Sequence, residues 1–128
     1  MAVGRPYPVF PTAAAKGQAV DITSSSGASP TALHASRAWS GLSAGETEVD
    51  YVSVELVNRG STNVTVTLIV GTSGTGTPDE WPVELLPHDG LQMVLDRKVL
   101  CDGGSCSAWL PSGGSASAYV EVLRERLT

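Results

Sequence analysis

Between residues 51 and 71, apolar and polar side chains alternate in two runs. Val52, Val54 and Leu56 alternate with Ser53, Glu55 and Val57, and Val64, Val66, Leu68 and Val70 alternate with Asn63, Thr65, Thr67 and Ile69. A period of two sends alternate side chains to opposite faces of a strand. The break at Asn58-Arg59-Gly60-Ser61 contains Asn and Gly, which tolerate the positive φ of a tight turn. The pattern predicts a β-hairpin in which Val52, Val54, Leu56, Val64, Val66, Leu68 and Val70 share one buried face. The opposite face is rich in Thr and Ser, which suits either solvent or a neighbouring subunit.

The same reading extends along the chain. Residues 31–39 form a strand candidate, followed by a GLSAGE turn. Trp81, Val83 and Leu85 alternate with Glu80, Pro82 and Glu84; Leu91, Met93 and Leu95 alternate with Gln92, Val94 and Asp96. Residues 99–101, 107–110 and 116–124 complete the set, and no segment keeps a helical period over three turns. Short strands separated by Gly, Pro, Asp and Ser predict an all-β chain: a single antiparallel β-sandwich or jelly roll of about eight strands. Residues 1–30 differ, being rich in Pro, Ala, Ser and Gly. Pro6, Pro8 and Pro11 favour extended backbone, with Tyr7, Val9 and Phe10 between them and one short strand candidate at 18–23. The expected organisation is an extended N-terminal arm, 1–30, and a β-sandwich domain, 31–128.

A length of 128 residues fits one domain with its own core. The net charge of −5 and the absence of any basic stripe argue against a nucleic-acid partner. No apolar run approaches the ~20 residues of a membrane-spanning helix, so no membrane partner is expected. The prolines interrupt any apolar core of a secretory signal near the start.

Little in the chain suggests chemistry. The glycine-rich GTSGTGTPDE lacks the Lys and following helix of a phosphate loop. Cys101-Asp-Gly-Gly-Ser-Cys106 is one pair where structural zinc wants four ligands, and its spacing is not that of a redox Cys-x-x-Cys. Two readings of Cys101 and Cys106 stand: a disulfide across a turn, or two free thiols. His34 and His88 come with no nucleophile motif. Asp79-Glu80 and Glu46, Glu48 and Asp50 could offer oxygen ligands to a divalent cation, but solvated loop charges are the favoured reading. Trp39, Trp81 and Trp109 lie at predicted strand edges, where aromatic side chains serve cores or interfaces. The expectation is a non-enzymatic protein with no cofactor, no metal and no catalytic residue, whose candidate interaction residues are Tyr7, Val9, Phe10, Trp39, Trp81 and Trp109.

The order TALHASRAW, DYVSVELVNRGSTNVTVTLIVG, WPVELLPHDGLQMVLDRKVL and SAYVEVLRERL resembles small β-sandwich structural proteins of tailed bacteriophages. The resemblance covers about residues 31–127 and rests on residues 58–68, Pro87-His88-Asp89-Gly90-Leu91 and residues 100–110. It implies a virion protein assembled in a host cytoplasm, with a role as a capsid decoration (cement) protein, or as a tail or head-fibre accessory. The implied partners are the major capsid protein or another virion protein, and further copies of the chain, a trimer being favoured. A carbohydrate- or receptor-binding β-sandwich module is the alternative from another class.

Overall fold

The computed structural model describes residues 5–14 and 18–127. Among them are nine strands and one short 3-10 turn: β1 (Tyr7–Val9), β2 (Val20–Asp21), β3 (Thr31–Ala35), the turn Trp39–Gly41, β4 (Glu48–Asn58), β5 (Val64–Gly71), β6 (Asp79–Leu85), β7 (Gln92–Cys101), β8 (Ser105–Trp109) and β9 (Ala116–Arg126). The chain is all-β, with two antiparallel sheets. One has the order β1-β9-β4-β7, with β2 also on β9; the other has the order β3-β8-β5-β6. Their facing sides enclose a single apolar cluster that includes Leu33, Val52, Val54, Leu56, Val66, Leu68, Leu85, Leu100 and Ala108.

All seven residues expected on one buried face are buried. The expected hairpin is not formed, however. β4 pairs with β7 and β9, while β5 pairs with β6 and β8 in the other sheet. The two in-phase rows meet across the core instead of lying side by side. Alternation specifies which way a side chain points, not which strand lies next to it. Asn58 fixes the crossing: its Nδ2 donates to the Thr62 carbonyl at 2.8 Å and the Leu85 carbonyl at 3.0 Å, and its Oδ1 accepts the Gly60 N–H at 2.8 Å. Of the strands adjacent in sequence, only β5 and β6 pair.

Bulges shift the phase elsewhere. On β7 the register slips twice against β4, between its partners of Val52 and Val54 and again between those of Val54 and Glu55. Arg97 takes a positive φ of 53° within that strand. An extra residue reverses the facing of the side chains beyond it. Leu95 therefore points inward while Leu91 and Met93, expected on the same face, are 50% and 55% exposed. β3 is shorter than expected, and Trp39 lies in the 3-10 turn beyond it.

Two stretches of the N-terminal segment run along β9. Tyr7, Pro8 and Val9 lie opposite Arg124, Leu123 and Val122, and Val20 and Asp21 lie opposite Ala118 and Ser117. Ile22 is buried in the core and its N–H donates to the Ala116 carbonyl.

Candidate functional site: a buried charge network

The inward row of β4 continues past its apolar residues to Asp50 and Glu48, which are 0% and 2% exposed. Opposite them on β9 stand Arg124 and Arg126, in direct register. Arg124 Nε donates to Asp50 Oδ1 at 2.8 Å and Nη2 to Oδ2 at 3.2 Å. Its Nε also lies 3.4 Å from Glu48 Oε1. Arg37, just beyond β3, grips Glu48 with two bonds, Nε to Oε1 at 2.7 Å and Nη2 to Oε2 at 2.6 Å. Arg126 reaches Glu46 at 2.8 Å. Planar two-point pairing of this kind is the strong form of a charged hydrogen bond.

His34 completes the network from β3. The β3–β8 register shifts between Ala32 and His34, so Leu33 and His34 are both buried, which strict alternation would forbid. The imidazole Nε2 is 2.7 Å from Asp50 Oδ2. Its Nδ1 accepts the backbone N–H of Thr12 at 3.1 Å. A backbone N–H can only donate, so Nδ1 carries no proton and the ring hydrogen sits on Nε2, donated to Asp50.

The electrostatics follow from these partners. For Glu48, the Arg37 hydrogen bonds outweigh burial and, with the Arg124 and Arg37 charges, hold the carboxyl below its ordinary range. For Asp50, burial is the largest influence and pushes upward; the bonds from His34 and Arg124 and the Arg124 charge together exceed it, so the carboxyl is also held low. Arg37 and Arg124 are raised, each chiefly by its hydrogen-bonded carboxylate. Reading Glu48 and Asp50 as solvated loop charges is thus corrected: both lie on a central strand and both are paired. The signal was present in the sequence as Glu48-x-Asp50 and Arg124-x-Arg126, two spacings of two that match across antiparallel strands.

Chemically, the arrangement is closed. Both ring nitrogens of His34 are engaged inside the protein, and the nearby Ser36 hydroxyl donates to the Gly104 carbonyl at 3.1 Å. Among the described residues, no three His, Cys, Asp or Glu side chains are grouped to hold a metal ion.

The other sequence candidates are dispersed. Tyr7 and Phe10 are 43% and 64% exposed, and the half-buried Val9 packs on the core. Pro8, Val9, Phe10 and Pro11 form one wall of an open cleft of about 360 Å³ whose other wall is residues 120–123 of β9. Trp39 is half-buried, its Nε1 donating to the Glu48 carbonyl at 2.9 Å, so it braces the charge network. Trp81 lies at the open edge of its sheet with the Lys98 ammonium 5.6 Å from its ring centre. Trp109 is half-buried beneath Gly27, and its indole nitrogen has no hydrogen-bond partner. The disulfide reading is not realised: Cys101 and Cys106 are free, on strands of different sheets, and burial pushes the Cys106 thiol up to about 12. His88 sits in a turn with φ 72° and is exposed.

Comparison of the chain with family profiles, with curated proteins and with solved structures finds no match in any of the three.

Proposed function

We propose that this chain is a non-enzymatic structural protein of a virus-like particle, a jelly roll that decorates a capsid lattice. The strand order carries the reading. Taking β1 and β2 as one interrupted first strand, the sandwich has eight strands. One sheet then runs first, eighth, third, sixth, and the other second, seventh, fourth, fifth. We read that order as favouring an eight-stranded jelly roll, an architecture used by viral capsid and lectin domains. A fold alone does not assign a role, and two further observations favour the structural one. His34, Asp50 and Glu48 are consumed in internal pairs. The apolar side chains of Tyr7, on the strand paired with β9, and of Phe10, in the cleft beside β9, are instead exposed.

A lectin-like role would want tryptophan faces open to solvent beside Asp or Asn. Trp39 and Trp109 are half-buried, and Trp81 is shared with Lys98. On the structural reading, the N-terminal segment and the neighbouring sandwich edge make the contact with the lattice, and many weak copies on a symmetric particle give firm attachment through avidity. Immunogold electron microscopy of particles from the producing cells tests it, together with light scattering of the purified chain. Regular label over particle heads and a defined oligomer, a trimer foremost, are expected. Label confined to tails points to the accessory role. An unlabelled particle, with binding on a glycan array, overturns the proposal in favour of the lectin.

A further inference from the structure

We propose that His34 is a pH-operated latch that holds the N-terminal segment, residues 5–14, against the sandwich. Residues 11–14 form a turn closed by the Ala14 N–H donating to the Pro11 carbonyl at 3.1 Å, with Pro11 and Ala14 both buried. Thr12 at its apex is bound twice. Its N–H donates to His34 Nδ1 at 3.1 Å, and its Oγ1 accepts the Ala35 N–H at 3.0 Å. The segment is also held by the three-residue pairing of β1 with β9 and by Val9, which packs on the core.

The first of these bonds exists only while the ring is neutral. A proton added at Nδ1 turns that acceptor into a donor facing another donor. The two N–H groups then repel, and Thr12 recovers a partner only by moving out to water. Everything else around the ring remains compatible with the charged form. Asp50 from β4 still accepts from Nε2, and Glu48 on the same strand is held by Arg37. Arg124 from β9 is neutralised through Asp50. Cys106, opposite His34 on β8, stays a neutral thiol because burial raises it. Tyr7 on β1 faces the same end of the sheet, opposite Arg124. The closed segment thus accepts only the neutral ring, whereas the open one accepts both forms. By linkage, added protons favour opening. Opening bares the β9 edge at residues 122–124 and frees Tyr7, Val9 and Phe10 for another surface.

Hydrogen–deuterium exchange from pH 7.5 to pH 5, corrected for the intrinsic pH dependence of exchange, tests this. Protection of residues 5–14 should fall at least tenfold while residues 52–56 and 64–70 stay protected. In His34→Gln the change with pH should vanish. Nitrogen-15 spectra of the wild-type imidazole keep the test decisive if that variant does not fold: Nδ1 should gain its proton in step with the loss of protection. Unchanged protection, simultaneous opening of the core, persistence of the effect in a folded His34→Gln, or opening with Nδ1 still unprotonated would each overturn the latch.

Discussion

Leu68 and Leu91 look alike in sequence, each an apolar member of an alternating run, yet one is wholly buried and the other half exposed. Leu68→Ala should cost about 2–5 kcal/mol, because the core around a deleted side chain relaxes only in part. Leu91→Ala should stay within about 0.5 kcal/mol, as expected of a surface change. Urea denaturation of the two variants measures the contrast. Arg124 is a different case, since two buried carboxylates depend on it. Arg124→Met should destabilise by about 3–5 kcal/mol, because removing one partner leaves buried charge uncompensated. The same measurement reads it, and a loss below about 1 kcal/mol would mean that the network is slack. At this scale the apolar core was legible from the alternation of residues 52–56 and 64–70. The charged end of the core was not, because Glu48 and Asp50 are of residue types that usually face water.

At the scale of the element, the sequence marks the break between β4 and β5 but not its geometry, which is an arch between sheets and not a hairpin. Asn and Gly permit a reversal of direction, but the same residues serve an arch between sheets. The decision lies in distant partners, the Leu85 carbonyl among them. Asn58→Ala strands the acceptors that its amide serves and should cost about 1–3 kcal/mol, visible as a lower thermal midpoint. The β7–β8 connection is held by close approach. A Cβ on Gly104 would collide with the Thr72 carbonyl oxygen and lie 2.7 Å from that of Gly71. Both are backbone atoms at the end of β5, so Gly104→Ala must push the β7–β8 connection away from β5 and should cost more than about 3 kcal/mol. The bulges in β3 and β7 had no sequence signal: one residue is inserted into β3 and two, at separate points, into β7, and only the partner strand reveals the slips.

For the whole molecule, acid stability follows from the network. Glu48 and Asp50 are both held below their ordinary range in the folded protein. The unfolded chain therefore takes up protons first, beginning near the ordinary carboxylate range of about 4. Their contribution is complete above about pH 5 and is lost as the pH falls through that range into the lowered one. Denaturant midpoints measured from pH 6 to pH 2.5 should decline in that window, and the decline should be shallower in a doubly neutral Glu48→Gln, Asp50→Asn variant. Two antiparallel sheets around one core could be read from the spacing of strands and turns. The strand order could not, because every join but β5–β6 leads to a strand that pairs elsewhere. One consequence concerns synthesis on the ribosome. β9 is made after the other eight described strands, yet β1 and β2 pair with it and β4 has it as one of its two neighbours. Until residues 116–126 leave the exit tunnel, those three strands wait without their common neighbour, and Arg124 has not reached Asp50. Strands made early are thus among the last to find their place, and the edge they will share with β9 stays open until translation has passed residue 126.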